Sequence, residues 1–377
     1  MPEGEMARPD RDHESPEQPE LPASYDGTAG QVAGIAATNG ALVLLTLGIY
    51  RFWAKTRMRR YFWNHVSVGG DRLEYSGLGR ELFIGFLLAI LILVPIFAID
   101  PLLQLVLGED SSLIGVWQLV LLLLLWFLVN FAIYRARRYR LTRTRWRGIR
   151  FGQTGRASGY ALRAMAWQLL VGLSLGIAWP FYRVAMHRHR INHTCFGTVR
   201  FQAAGSGSQL LGPWIVGVIL ALPSLGISYL WYRVKEFNYL TSQITAPGFR
   251  CRAEMRTGGL IRALLPYLLA VVIVLALTAL LLGSLAPSLL ALSAGGEAVD
   301  ISMNFSLFHW GIVALVILAI PLQGTFVAVF FHHPVLRAIC ESTRLFGGEE
   351  LEAVLQRADS GVTHGEGLAD ALDIGSV

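Results

Sequence analysis

Thr46-Leu47-Gly48-Ile49 closes one apolar run of the chain and opens an aromatic, arginine-rich one. The same pattern returns as Ser174-Leu175-Gly176-Ile177 and as Ser224-Leu225-Gly226-Ile227. Aromatic residues follow each glycine at fixed spacings: Trp53, Phe181 and Trp231 stand five residues later, and Tyr61, His189 and Tyr239 thirteen residues later. Self-similarity of this kind indicates a duplicated structural unit. An altered fourth copy, which lacks the Gly-Ile pair, runs from Phe131 through Tyr139 to Phe151.

The composition places the chain in a membrane. Of its 377 residues, 54% are hydrophobic and only 15% are charged, which is too apolar for an ordinary soluble domain. A helix needs roughly 20 apolar residues to cross the hydrocarbon of a bilayer. Uncharged stretches of that length predict four spans, at 82–99, 113–134, 263–286 and 308–331.

Three further apolar stretches flank the repeated Leu-Gly element. Each arm beside the glycine is about a dozen residues long, which is too short for a span and typical of a re-entrant half-helix. We predict hairpins that enter the bilayer and return, at 31–64, 160–190 and 210–242, with Gly48, Gly176 and Gly226 at their turns. The alternative is seven plain spans with the amino terminus outside.

Charge predicts the orientation. Ten arginines lie between Arg135 and Arg163 without one carboxylate, whereas 100–112 carries acids and no cation. Because basic loops face the cytoplasm, the arginine-rich segments are expected inside and the 100–112 loop outside. This places both termini of a multi-pass protein in the cytoplasm.

The predicted fold class is an all-α-dominated, polytopic helical membrane protein built from a repeated helical hairpin with a short cytoplasmic β-hairpin. His65-Val66-Ser67-Val68, Gly69-Gly70 and the run to Tyr75 give one β-hairpin signal, and 193–201 gives another. Residues 1–30 are predicted to be a disordered, acidic, proline-rich tail and 341–377 an acidic cytoplasmic tail. The domain between them, 31–340, is divided into copies near 31–80, 82–158, 160–208 and 210–258 and a terminal helical hairpin at 260–336.

The motif resembles that of the YjgN-type family of uncharacterised bacterial inner-membrane proteins. The residues that carry the resemblance are Thr46-Leu47-Gly48-Ile49-Tyr50, Trp53-Ala54, Arg59-Arg60-Tyr61, Gly70, Tyr75, Glu81-Leu82-Phe83 and Gly85. It is strongest at about 40–90 and extends with decreasing specificity to about 340. The resemblance implies a polytopic protein of the bacterial envelope and supplies no activity, cofactor or catalytic residue.

Arginine interleaved with aromatic residues is the clearest functional pattern. Basic clusters beside apolar segments attract anionic headgroups at about 1 kcal/mol per cation, and Trp and Tyr anchor at the same depth. The predicted lipid- or anion-binding residues are Arg57, Arg59, Arg60, Arg137, Arg138, Arg188, Arg190, Trp53 and Tyr61. We therefore expect a non-enzymatic protein that binds membrane lipids, a protein partner or a second copy of itself; a passive channel for a small solute or lipid is the alternative.

Other chemistries find little support in the sequence. His189 and His193 stand four residues apart, but the other copies lack this pair, so we predict no metal site. No nucleophile elbow or phosphate loop is present, so we predict neither a catalytic residue nor a cofactor. The arginines follow the membrane-flanking segments rather than a separate basic domain, so no nucleic-acid partner is expected.

Overall fold

The computed structural model describes residues 20–108, 111–293, 323–347 and Val354. Pairs of helices alternate with pairs of short strands along the chain. The helices are α1 (Ala29–Leu45), α2 (Arg51–Asn64), α3 (Gly79–Leu107), α4 (Ser112–Arg143), α5 (Ala157–Leu173), α6 (Trp179–Asn192), α7 (Ser208–Ile219), α8 (Ile227–Ser242), α9 (Thr257–Ser293) and α10 (His333–Ser342). A π-helical segment, Ala328–His332, precedes α10.

The strands are short. They are β1 (Glu20–Tyr25), β2 (Val66–Val68), β3 (Asp71–Tyr75), β4 (Thr144–Trp146), β5 (Ile149–Gln153), β6 (Thr194–Phe196), β7 (Val199–Arg200), β8 (Gln202–Ala203), β9 (Ile244–Ala246), β10 (Phe249–Ala253) and β11 (Thr343–Gly347). All of them join in one antiparallel sheet, in the order β7-β6-β5-β4-β3-β2-β1-β11-β10-β9-β8.

The sheet is a nearly closed barrel. Its two end strands, β7 and β8, are separated along the chain by Phe201 alone. They act as one bent strand, whose first half pairs with β6 and whose second half pairs with β9. The sheet therefore returns to where it starts.

The same register links each unit to the next. The last residue of β1, β3, β5, β8 and β10 pairs with the first residue of β2, β4, β6, β9 and β11, respectively. These pairs are Tyr25 with Val66, Tyr75 with Thr144, Gln153 with Thr194, Ala203 with Ile244, and Ala253 with Thr343. Because β11 and β1 occupy the fifth such place, strands from opposite ends of the chain complete a fifth unit.

Apolar side chains fill the barrel. Trp146, Phe196 and Phe249 are buried inside it, together with Val354. Strand alternation points successive side chains to opposite faces, so Arg250 and Arg252 lie on the outer face of β10 while Phe249 and Cys251 lie inside. The interior of the barrel is therefore packed with apolar side chains.

The helices form a ring that closes where the barrel closes. Each helix from α1 to α9 contacts the next one along the chain, α9 contacts α10, and the π-helical segment before α10 contacts α1. The second helix of each pair leads directly into a short strand, so α2, α4, α6, α8 and α10 connect the ring to the barrel.

The predicted fold class is wrong in two respects. The β-hairpins are not small additions to an all-α-dominated, polytopic helical protein, because they join in a sheet of eleven strands. Among the described residues only three helices, α3, α4 and the 257–280 part of α9, are long and apolar enough to cross a membrane. Strands of two to six residues carry too little pattern to predict which hairpins pair with each other.

The predicted tails begin and end differently in the structure. The tail predicted for 1–30 contains β1 and the first residues of α1, and the tail predicted for 341–377 contains β11. β1 and β11 pair with each other, which satisfies the hydrogen-bonding groups of both backbones. Amino-acid composition alone does not predict this pairing. Most of the span predicted at 308–331 lies outside the described residues.

Candidate functional site

The three Leu-Gly elements form the same turn between two helices. Leu47, Leu175 and Leu225 adopt φ angles of 50°, 50° and 51°, and the glycines that follow them lie at 91°, 89° and 86°. Each glycine N–H donates to a carbonyl oxygen five residues earlier, at 2.8 Å for Gly48 and Gly176 and 2.7 Å for Gly226. The structure therefore places the three predicted glycines at the tips of helical hairpins.

A hydroxyl group before the leucine holds each turn. The Ser174 Oγ donates to the Val171 carbonyl oxygen at 3.1 Å and accepts from the Ala178 N–H at 3.0 Å. Thr46 and Ser224 make the equivalent pairs of contacts in their hairpins. Because the hydroxyl bonds to backbone groups on both sides of the glycine, the sequence pattern Ser/Thr-Leu-Gly-Ile joins the end of one helix to the start of the next.

The tips present apolar side chains to the surroundings. Leu47, Leu175 and Leu225 are 94%, 94% and 93% exposed. A bulky residue rarely adopts a positive φ, and left-handed backbone costs roughly 1–2 kcal/mol for an L-residue other than glycine. A leucine at this backbone angle and exposure makes little contact with the described part of the fold. Lipid hydrocarbon is the environment that such a side chain prefers.

The helices differ in reach. The seventeen residues of α1 rise about 25 Å, whereas the twenty-nine residues of α3 rise about 44 Å. The hydrocarbon core of a bilayer is about 30 Å thick. The α3–α4 hairpin is therefore long enough to cross it, and the α1–α2 hairpin falls short.

A cluster of cationic side chains lies between the helices that lead into the barrel. We call Arg137 of α4, Arg183 and Arg190 of α6, and Arg233 of α8 the guanidinium cluster. The Arg183 Nε donates to Glu236, and the Arg233 Nη1 donates to the same carboxylate at 2.5 Å. Arg137 and Arg190 are near enough to interact electrostatically with each other. Three helices thus bring four guanidinium groups together.

One carboxylate serves this cluster within the part of the chain that the structure describes. Glu236 is only 2% exposed, and both of its oxygens are used by Arg183 and Arg233. Arg137 donates from Nη2 to the Thr194 hydroxyl at 3.3 Å, at the point where β6 begins. The cluster therefore carries an excess of positive charge beside the end of the barrel.

Several donors of the cluster are buried without a partner. The Nε atoms of Arg137 and Arg190 make no hydrogen bond, and neither does the Nε2 atom of the neighbouring His187, whose role as donor or acceptor depends on the tautomer. Buried donors are almost always paired, so the two guanidinium Nε–H groups stand out as free donors at this place. A phosphate group has both the acceptors and the negative charge that these donors lack.

Burial also sets the protonation of His187. Desolvation, followed by the charges of Arg190, Arg137 and Arg183, lowers its pKa from 6.5 to about 3. The imidazole is therefore neutral at physiological pH and adds no charge to the cluster. It supplies one hydrogen-bonding nitrogen next to the guanidinium groups.

The predicted binding residues divide into two sets. Arg137 and Arg190 belong to the guanidinium cluster. Arg57 and Arg188 are exposed on the outer side of α2 and α6, and Arg138, which is half-buried, occupies the same repeat position as Arg188. The sequence pattern found the arginine-rich helices but did not separate their two faces.

The remaining predicted residues make contacts within the fold. Arg59 donates from Nη1 to the Tyr75 hydroxyl at 3.5 Å, and Arg60 donates from Nη2 to the Gly77 carbonyl oxygen at 3.3 Å. Trp53 packs against Phe83 of α3.

The hydroxyl of Tyr61 joins the two helices of its own hairpin. It accepts from the Thr28 N–H at 3.0 Å and donates to Gln31 Oε1 at 2.9 Å. Tyr61 and Trp53 therefore hold helices together within the fold.

Sequence reasoning missed Arg183, Arg233 and Glu236. The signal was present, because Arg183, His187 and Arg190 follow a spacing of four and three residues that places them on one face of a helix. The sequence analysis considered the number of arginines in each segment and not the carboxylate that could pair with each of them. Glu236 stands inside an apolar and aromatic helix, where a carboxylate indicates a buried ion pair.

The histidines of α6 do not form a metal centre with their neighbours. The rings of His189 and His193 are 4.3 Å apart, but His193 Nδ1 contacts the His189 carbonyl oxygen at 2.7 Å and His189 Nδ1 contacts Arg163 at 3.0 Å. Over the described ranges, no group of three or more potential His, Cys, Asp or Glu ligands is close enough to hold an ion.

The repeated hairpins, the apolar tips and the three long apolar helices define a membrane protein with an internal repeat. The chain belongs to a family described as bacterial protein of unknown function (DUF898), whose family model matches residues 20–370. No solved structure matches it.

Named relatives cover part of the chain. Inner membrane protein YjgN of Escherichia coli strain K12 is 29% identical over 127 residues, which are 34% of this chain and 29% of that protein. Inner membrane protein YjgN of Salmonella typhimurium is 34% identical over 68 residues, which are 18% of this chain and 17% of that protein. The chain thus matches less than a third of the length of these relatives. The bacterial family and these relatives assign the chain to the bacterial inner membrane.

Proposed function

We propose that this inner-membrane protein is a non-enzymatic lipid-binding protein, and that the guanidinium cluster holds the phosphate of an anionic lipid headgroup. The observation that carries the proposal is the excess of guanidinium groups over carboxylates, together with the unpartnered Nε donors of Arg137 and Arg190. A bound phosphate would neutralise the excess positive charge and accept hydrogen bonds from the unpartnered donors.

Energetics favour an occupied cluster. Leaving a buried charge without its partner typically costs about 3–5 kcal/mol. Glu236 offsets Arg183 and Arg233, which leaves Arg137 and Arg190 to be compensated by another group. Guanidinium groups bind phosphate oxygens through charge-assisted hydrogen bonds that are about twice as strong as neutral ones.

The closed sheet supports the proposed topology. Hydrogen-bonded strands must lie on the same side of a membrane, so each helical segment between two barrel strands returns to the side from which it left. This favours re-entrant hairpins at 31–64, 160–190 and 210–242 over seven plain spans. The arginine-rich barrel surface is then cytoplasmic, and β1 and β11 place the chain on that side near both ends.

A matched pair of variants on one helix tests the binding function. Arg190→Gln removes a cation of the cluster, and Arg188→Gln removes an exposed cation two residues away. Loss of a charge-assisted hydrogen bond of about 1.5–3 kcal/mol should reduce the affinity for phosphatidylglycerol about tenfold or more in Arg190→Gln, and Arg188→Gln should bind like the parent protein. Native mass spectrometry of the detergent-purified full chain, titrated with this lipid, measures both.

Equal affinity in the two variants would overturn the proposal. Arg137→Gln provides an independent check, because it removes a cluster cation from α4 rather than α6. It should weaken phosphatidylglycerol binding as Arg190→Gln does. Thermal unfolding of each variant in detergent shows whether it is folded.

A further inference from the structure

The fifth unit lacks an aromatic ring that the other four units carry at one position. This position is five residues before the first residue of β2, β4, β6, β9 and β11. The first four units have Tyr61, Tyr139, His189 and Tyr239 there, and the fifth has Ala338. The register of the sheet fixes this equivalence without any reference to residue type. Ala338 is therefore a true exception within the repeat.

In the other units the ring fills the space between the two helices of a hairpin. Tyr239 accepts from the Ser206 N–H at 2.7 Å, which repeats the contact of Tyr61 with Thr28. Tyr139 donates to Glu81 Oε2 at 2.7 Å, which repeats the contact of Tyr61 with Gln31.

The partner position is also lost in the fifth unit. Gln31 and Glu81 stand third in α1 and α3, and Gly259 stands third in α9. Both members of the side-chain pair have therefore been replaced by small residues. Gly159 stands third in α5 as well, but His189 keeps the ring there, so the fifth unit alone of the five has small residues at both positions.

A cavity of about 510 Å³ occupies this place. We call it the unit-five cavity. Gly259 and Ala338 line it, together with the apolar side chains of Leu260 and Ala263. A volume of this size is in the range of small-molecule sites, which is roughly 300–1,000 Å³.

Charges of both signs line the cavity mouth. The charged lining residues are Arg256, Arg337, Arg344, Glu254 and Glu341. Arg344 pairs with Glu20 and Glu254 with Arg252, which leaves Arg256, Arg337 and the exposed carboxylate of Glu341 for a ligand, and Arg337 also donates from Nη2 to the Gly27 carbonyl oxygen at 3.4 Å. The charges thus match a zwitterion rather than a simple anion.

The cavity lies at the start of a candidate span. Arg256 directly precedes α9, and Leu260 and Ala263 belong to its first two turns. Ends of membrane-spanning helices lie at the depth of lipid headgroups. A ligand here would place its polar group among Arg256, Arg337 and Glu341 and an apolar part along α9.

We propose that the unit-five cavity binds a phosphoethanolamine group, with the phosphate at the guanidinium groups and the primary amine at Glu341. The group is carried either by a membrane lipid or by a free glycerophosphate ester. This site is separate from the guanidinium cluster, and its occupancy does not depend on binding there.

Ala338→Tyr tests the site by restoring the ring that the other units carry, and Ala338→Ser is the matched control that keeps the cavity open. Native mass spectrometry of the full chain measures binding of phosphatidylethanolamine and phosphatidylglycerol. We expect phosphatidylethanolamine affinity to fall about tenfold or more in Ala338→Tyr and to change less than about twofold in Ala338→Ser. Phosphatidylglycerol affinity should be the same in both variants. Equal phosphatidylethanolamine binding by the two variants overturns the proposal.

A second variant and a competitor complete the experiment. Arg256→Gln removes an exposed cation without filling the cavity, and it should also weaken phosphatidylethanolamine binding; unchanged binding would count against the site. Displacement of the lipid by millimolar glycerophosphoethanolamine assigns the site to the soluble ester. Retention of the lipid under those conditions assigns it to the membrane.

Discussion

At the scale of single residues, the members of the guanidinium cluster differ in whether they have a hydrogen-bond acceptor. Arg183 and Arg233 have Glu236, whereas the Nε atoms of Arg137 and Arg190 have no acceptor. The sequence predicted Arg137 and Arg190 as binding residues because they lie in basic, aromatic segments. It could not assign Glu236 to the same place, because that contact joins α6 and α8 through tertiary packing.

His187 gives the cluster a measurable dependence on pH. Its folded-state pKa is about 3, compared with 6.5 for the ordinary side chain. As the pH falls below 6.5, the unfolded chain binds a proton that the folded chain does not bind, so stability is lost. His187→Gln should therefore show a smaller fall in melting temperature between pH 7 and pH 5 than the parent protein. Thermal unfolding in detergent at the two pH values measures this difference, and parallel falls would contradict the buried, neutral state of His187.

At the scale of elements, the helical hairpin could be predicted from sequence because its determinants are local. A hydroxyl, a leucine and a glycine in sequence specify the turn, and the three copies agree in φ within a few degrees. The exposure of the leucine could not be predicted, since an apolar residue beside a turn is usually buried. The strained φ of Leu175 and its 94% exposure are the observations on which the proposed membrane insertion of the tip rests.

The depth of this tip can be measured directly. A nitroxide attached to Leu175→Cys in a background without Cys195, Cys251 and Cys340 should lie in hydrocarbon when the protein is in lipid nanodiscs. Collisions with molecular oxygen should then exceed collisions with a water-soluble nickel chelate. The same label on Ser111→Cys, at the turn between α3 and α4, should favour the nickel chelate. A tip that favours the nickel chelate would rule out insertion.

At the scale of the whole molecule, closure decides the architecture. Glu20 of β1 pairs with Phe346 of β11, so the two ends of the chain complete one ring. No local pattern predicts a pairing between residues this far apart, and composition predicted disorder for the 1–30 tail for the same reason. The individual β-hairpins were predictable from Gly-Gly and Gly-containing turns, but their union in one sheet was not. That union is what joins all five units at one barrel, and the guanidinium cluster lies beside its end.

Cysteine accessibility in intact cells tests this account most directly. Single cysteines replace Ser67, Arg200 and Thr245, one in each of three barrel hairpins, and Ser111 serves as the outward-facing control, in a background without the native cysteines. A membrane-impermeant maleimide should label position 111 in intact cells and should label positions 67, 200 and 245 only after the membrane is permeabilised. Labelling of position 67 or 200 from outside would place barrel strands on opposite sides of the membrane, and the closed ring would be contradicted.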